Sequence, residues 1–161
     1  MTTPKSKGSA FEREISKKLS SWLFNDIHML YRHPTSGAKK HTYVGDIVPQ
    51  KQLPNPINTF PFLFELKTGY KAQLPNFLNY NIIEKWIDKA KRERTSEQHI
   101  IWLILRFKNY EPICVISEEI TNQLHWEFCT YVCNEYFYIY RLNNLINTDP
   151  MPILQLMRRI D

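Results

Sequence analysis

Phe62-Leu63-Phe64-Glu65-Leu66-Lys67 is the stretch on which the fold turns. Its alternation puts Phe62, Phe64 and Leu66 on one face of a strand and Leu63, Glu65 and Lys67 on the other. One face is expected to be core and the other to carry charge. On its C-terminal side, Ile83, Trp86, Ile87 and Ala90 mark an amphipathic helix over about residues 81–94, its exposed side rich in Lys85, Lys89, Lys91 and Arg92. Residues 99–107 and 113–116 are apolar runs short enough for buried strands, joined by a turn around 109–112. Ser117-Glu118-Glu119 suggests a short helix, residues 128–132 and 136–142 a late hairpin about Asn134, then a short helix and a tail with Pro150 and Pro152.

On the N-terminal side, Pro49, Pro54, Pro56 and Pro61 make an irregular excursion, because proline removes ladder donors and restricts its predecessor. Before it, residues 44–48 and 27–31 read as strands, separated by a basic loop, 32–43, with Pro34, Ser36, Gly37, Lys39, Lys40 and His41. Ser9-Ala10-Phe11-Glu12 has the pattern of a capping box opening a helix over about 10–24, with Phe11, Ile15, Leu19, Trp22 and Leu23 on its apolar stripe. Residues 1–8 then read as a flexible basic arm. The order of elements predicts an α/β fold with a central mixed sheet flanked by helices. One domain is expected over 1–161, with about 110–161 as a C-terminal elaboration.

The 161 residues carry 21 Lys+Arg against 16 Asp+Glu, a formal charge of +5, with 43% hydrophobic residues. Such a chain buries a core without staples and is not compositionally disordered. Positive charge favours polyanions, nucleic acid foremost. The longest apolar run, Ile100 to Leu105, is far too short to span a bilayer, so no membrane role is expected. The polar, basic start is no secretory signal, and three cysteines, an odd number, read as reduced thiols of a cytoplasmic or other intracellular compartment. No Gly-rich phosphate loop is present, which argues against a kinase or NTP hydrolase.

Chemistry concentrates in Glu12, Gly45-Asp46 and Glu65-Leu66-Lys67. Mg²⁺ wants oxygen ligands and commonly keeps positions for water and substrate phosphate. Asp46 and Glu65 supply carboxylates, the Leu66 carbonyl is a further donor, and the i, i+2 spacing points Glu65 and Lys67 into one site. In phosphodiester hydrolysis a metal activates water and offsets phosphate charge, while an ammonium orients the water or stabilises the transition state. Of the four glycines, Gly8, Gly45 and Gly69 lie close to these residues, as expected where a ligand approaches the backbone.

Four stretches, Lys7-Gly8-Ser9-Ala10-Phe11-Glu12-Arg13-Glu14, Arg32 to Gly37, Gly45-Asp46-Ile47-Val48 and Phe64-Glu65-Leu66-Lys67-Thr68, carry a resemblance to the PD-(D/E)xK nuclease superfamily. Within it the chain most resembles the Holliday junction resolvases of archaea and phages, over roughly residues 5–105. The resemblance implies a restriction-endonuclease-like fold and a metal-dependent endodeoxyribonuclease, of possible phage origin. It implies Glu12, Asp46 and Glu65 as ligands of Mg²⁺, with Mn²⁺ as a substitute, and Lys67 as the catalytic lysine. It also implies Ser36 as a functional loop serine and Arg13 and Arg32 as phosphate contacts, which Lys7, Lys39 and Lys40 would join. A homodimer acting on branched DNA follows from the same likeness. Gly45 stands where the superfamily name has proline, the excursion lengthens the gap before Glu65, and residues beyond about 110 match no part of that pattern.

Other assignments stand beside these. Glu12 also fits as the third residue of the capping box, Lys67 as a structural partner of Glu65, and the basic loop as a solvated surface. His125, Cys129 and Cys133 recur every four residues, but zinc wants four ligands and the local sequence looks like strand, so buried cysteines are expected. The alternatives to a junction resolvase are a restriction or repair nuclease acting on linear or single-stranded DNA, and a non-catalytic nucleic-acid-binding module.

Overall fold

A computed structural model describes residues 4–33, 43–50, 52–70, 80–95, 98, 100–107, 110–117, 121, 131–134 and 137–158. The first helix, α1 (Pro4–Phe24), begins six residues before the expected start at Ala10. Proline is well placed in a first helical turn, where its missing N–H is no loss. Residues 4–8 are therefore helical, not a flexible arm, and Ser9 and Glu12 lie inside the helix, so no capping box forms. Phe11, Ile15, Leu19 and Leu23 recur every four residues and are buried. The helix ends at Phe24, and the next residue, Asn25, has a φ of 53°, the left-handed conformation that asparagine tolerates beyond a helix end.

Among the described residues seven strands follow: β1 (Leu30–Arg32), β2 (Ile47–Pro49), β3 (Phe62–Tyr70), β4 (Ile100–Phe107), β5 (Ile113–Ser117), β6 (Tyr131–Asn134) and β7 (Phe137–Arg141). They form one mixed sheet of order β1-β2-β3-β4-β5-β7-β6. Only β3 and β4 run parallel, in register from Phe62↔Ile100 to Lys67↔Leu105; the other neighbours are antiparallel. A parallel pair needs a crossover, and α2 (Tyr80–Glu93) lies between the two strands in sequence. The expected hairpin of β6 and β7 is present. The strands expected over 27–31 and 44–48 are shorter and shifted, because residues 43–46 form a bend ahead of β2. The helix anticipated after Ser117 falls mostly outside the described residues, which include helical Thr121.

The sheet separates two cores. On one side α1, α3 (Leu142–Leu145) and α4 (Met151–Leu156) cover Phe62, Phe64, Leu66, Trp102, Ile104, Cys114 and Tyr140. On the other, Ile83 and Ile87 of α2 pack on Leu103, Leu105, Phe107, Val115 and Ile139. This is the α/β, restriction-endonuclease-like fold with helices on both faces of a mixed sheet. The stretch around Pro150 and Pro152 is helix α4 and not a tail; Pro152 sits in its first turn, where no intrahelical N–H is needed. The proline excursion inserts Phe60 into the first core, edge-on to Phe62 at 5.7 Å between ring centroids. Thr59 then bonds the Met157 carbonyl through both its N–H (3.2 Å) and its hydroxyl (2.9 Å).

Fully buried Gln98 knits the excursion to the bend before β2. Its Nε2 donates to the carbonyls of Val44 and Phe62, each at 2.8 Å. Its Oε1 accepts from the Val44 N–H at 2.9 Å and the Thr95 hydroxyl at 3.2 Å. Every hydrogen-bonding position of the amide is filled. Gln98→Met would strand the Val44 and Phe62 groups in the core, and each unsatisfied group costs about 1–3 kcal/mol. We expect Gln98→Met to lose roughly 2–4 kcal/mol of unfolding free energy in a urea titration; a loss below about 0.5 kcal/mol would show that water takes over the amide's bonds.

Candidate active site

Asp46 is placed by backbone geometry. Gly45 has φ +108°, and a Cβ there would lie 2.9 Å from the Phe64 carbonyl oxygen, so the bend approaches β3 as only glycine can. Proline, fixed near φ −65°, has no access to this conformation, which accounts for glycine at the position. The Asp46 N–H donates to the Phe64 carbonyl at 2.8 Å, and the Asp46 carbonyl accepts from the His33 N–H at 2.9 Å. Its side chain turns to β3, where Oδ2 accepts the Leu66 N–H at 2.6 Å. A strand residue points its N–H and C=O to the same side. The Leu66 carbonyl therefore faces the edge that Asp46 occupies.

Glu65 and Lys67 share a face of β3, and the Lys67 ammonium donates to Glu65 Oε1. Glu65 is 5% exposed, so the face expected to carry charge carries a buried one. The sequence pattern missed its second partner: Lys89, on the basic face of α2, brings Nζ to 3.5 Å from the same Glu65 oxygen. Glu65, followed by a Glu93 contact at 3.5 Å, holds the Lys89 pKa above its usual range, partly offset by burial.

Glu12 faces the same region from α1 and accepts the Arg32 Nε–H. Arg32, expected on phosphate, is thus engaged with a carboxylate. A shallow cleft of about 140 Å³ lies between α1 and β3, lined by Gly8, Phe11, Glu12, Leu66, Lys67 and Thr68. At its side Arg106 makes a two-point bond to Glu14, at 2.8 and 2.6 Å, and stacks its guanidinium 4.4 Å from the Phe11 ring centroid. That bond holds the Glu14 carboxyl below its usual pKa and ties α1 to β4. Lys7 and Arg13 are exposed on α1, whereas Ser36, Lys39 and Lys40 lie outside the described residues. His125 and Cys129 lie outside them too; Cys133 is in β6, and Cys114 is a buried free thiol whose pKa burial pushes up.

The Asp46 carboxyl is pushed up to about 6 from 3.8, chiefly by burial. The Leu66 N–H opposes this, Glu65 adds to it, Lys67 opposes it, and Glu12 adds a smaller push. Negative charge from two elements, β3 and α1, thus converges on Asp46 in the bend. Among the described residues, no three His, Cys, Asp or Glu side chains form a ready-made cation cage. Mg²⁺ does not require one: it binds through one or two carboxylates and keeps waters and phosphate oxygens. Asp46, Glu65 and the Leu66 carbonyl are all hard oxygen donors and fit that pattern.

A mixed α/β sheet that gathers carboxylates and a lysine where β2 parts from β3 is the ground plan of the PD-(D/E)xK nucleases. The family described as "phage putative PDDEXK endonuclease" matches residues 3–151, and the chain belongs to it. The match runs well beyond residue 105, through β5, β6, β7 and α3, where the motif resemblance had ended. No curated protein and no solved structure matches the chain. Among the described residues no helix is long and apolar enough to cross a membrane.

Burial of Asp46 gives a stability test. Below pH 3.8 both folded and unfolded chains hold the proton; between 3.8 and about 6 the folded chain holds it more tightly, so stability falls as pH rises across that window. Above it the penalty is complete, with a ceiling of about 3 kcal/mol that solvent screening reduces. Asn keeps an oxygen for the Leu66 N–H and no charge. In EDTA, Asp46→Asn is expected to melt higher than wild type at pH 8 and nearly equal to it at pH 4. Equal melting at pH 8 would mean that the carboxylate is paid no penalty by its surroundings.

Proposed function

We propose that the chain is a Mg²⁺-dependent DNA endonuclease acting on branched DNA, such as Holliday junctions, as a homodimer. The observation that carries the nuclease chemistry is the convergence of Asp46, bonded to the Leu66 N–H, with Glu65 and Lys67 on the adjacent part of β3. Asp46, Glu65 and the Leu66 carbonyl are the proposed metal donors, with Glu12 at the rim. When bound, the cation lowers the pKa of its water and offsets phosphate charge. Lys67 contributes a compact ammonium beside Glu65, positioned to orient the attacking water or stabilise the developing charge. Glu12 holds the Arg32 guanidinium near the cleft.

Exposed Lys7 and Arg13 are proposed phosphate contacts, together with Arg32 at the end of β1 and Ser36, Lys39 and Lys40, which follow it in sequence. Such contacts position the backbone and carry no sequence information. Branched DNA is favoured by the likeness of residues 7–14, 45–48 and 64–68 to the junction resolvases. A four-way junction presents paired scissile sites, which a two-fold dimer meets symmetrically.

The test compares a synthetic four-way junction with its linear duplex in Mg²⁺. Selective paired nicking is expected, abolished by EDTA, restored by Mg²⁺ or Mn²⁺, and reduced at least ~100-fold by Glu65→Ala or Lys67→Ala. Equal cutting of both substrates would remove the branched specificity, a monomer at working concentration would remove the dimer, and inactivity on all DNA would remove the endonuclease.

A further inference from the structure

We propose that Lys89 is a second lysine of the active site, a displaceable counter-ion that holds Glu65 until a divalent cation arrives and then passes to the substrate phosphate. This rests on the endonuclease reading above and names the group that answers the charge of the incoming DNA. The two lysines meet one carboxylate oxygen from different elements: Lys67 from β3, and Lys89 from α2 at 3.5 Å. Lys67 already supplies Glu65 with a full positive charge, so neutralising that carboxylate gives no reason for a second ammonium. A helix-surface pair does not account for it either. Lys89 does reach Glu93, four residues on, at 3.5 Å, yet it extends equally to a strand carboxylate that is buried.

Charge balance supplies a reason. Around the site stand the carboxylates of Asp46, Glu65 and Glu12 and the cations of Lys67, Lys89 and Arg32, three of each, linked by the pairs Lys67–Glu65, Lys89–Glu65 and Arg32–Glu12. With the carboxylates ionised, this set is neutral; counting the exposed Glu93 that Lys89 also reaches, it carries one negative charge, and a divalent cation would leave it positive. A divalent cation held by Asp46 and Glu65 would add two positive charges beside the carboxylate that both lysines share, and would repel them. The Lys67 side chain is only 18% exposed, whereas that of Lys89 is 49% exposed on a helix surface and carries its ammonium on a flexible four-carbon stem. Lys89 is the one free to move. The phosphodiester brings the negative charge that the loaded site lacks.

The test titrates Mn²⁺ into the chain without DNA, followed by electron paramagnetic resonance, and then measures single-turnover cleavage at saturating Mn²⁺. Removing a competing cation should tighten binding, so Lys89→Ala is expected to bind Mn²⁺ roughly three- to tenfold more tightly than wild type, with Lys85→Ala unchanged. The same Lys89→Ala chain is expected to cut at least ~10-fold more slowly, and Lys89→Arg, which keeps the charge, to recover part of that rate. A residue that merely supports the fold would weaken both together. Mn²⁺ affinity within twofold of wild type or weaker, or an unchanged cleavage rate, would overturn the proposal while leaving the endonuclease in place. A wild-type chain that cuts no DNA would instead overturn the endonuclease reading, a result distinct from either.

Discussion

The Leu66 N–H donates to the carboxylate of Asp46, where an uninterrupted sheet would give it a strand carbonyl. The two strands are in register at Ile47↔Phe64, and two residues further along β3 a side chain has replaced the ladder. That substitution satisfies a backbone donor which would otherwise be orphaned ahead of the start of β2. It fixes a carboxylate within one residue of Glu65, and it opens the edge of β3 so that the Leu66 carbonyl is free of the neighbouring strand. Gly45 and Gln98 both serve this geometry. The first lets the bend come within contact of the Phe64 backbone; the second clamps Val44 to Phe62, immediately upstream of both elements.

Much of this was legible in sequence because it rests on periodicity. The alternation of Phe62 to Lys67 separates core from site, and the spacing of Ile83, Ile87 and Ala90 locates α2 to within a residue at each end. The start of α1 lies upstream of the one the sequence suggests, because Ser9 and Glu12 match a local capping pattern without forming one. Pro4, which suits a first turn equally well, lies upstream of it. Once Glu12 is inside the helix, capping no longer explains it. Gly8, Phe11 and Glu12 then share the helix face that lines the cleft.

What remained hidden depends on contacts between distant segments. Gln98 looks like any polar residue before a strand, and only tertiary structure gives its amide four partners. Arg106 interrupts an apolar strand and so was detectable as an anomaly, but its partner Glu14 lies 92 residues away. Lys89 was invisible for the opposite reason: it sits among Lys85, Lys91 and Arg92 on a face whose composition is that of an ordinary solvated helix. Burial of Glu65 distinguishes it from them, and burial is set by the sheet and by α2 together.

The electrostatics of the site run against folding. A carboxylate taken from water is costly unless paired, and paired charges in a poorly solvated site often recover only part of that cost. Glu65 is 5% exposed and meets cations from two elements, while Asp46 is held above its ordinary pKa by burial and by other carboxylates despite a strong backbone donor. An apolar pair at these positions would serve the fold at least as well. The surrounding core is large enough to carry the burden, since an aromatic cluster of Phe60, Phe62, Phe64 and Trp102 lies directly behind β3 on its other face. The strand thus has an apolar face that secures it and a charged face that its stability does not require. Charge retained at a cost to folding, on an interior strand backed by an aromatic core, is what a site needs if its carboxylates must stay fixed while cations and phosphates exchange around them.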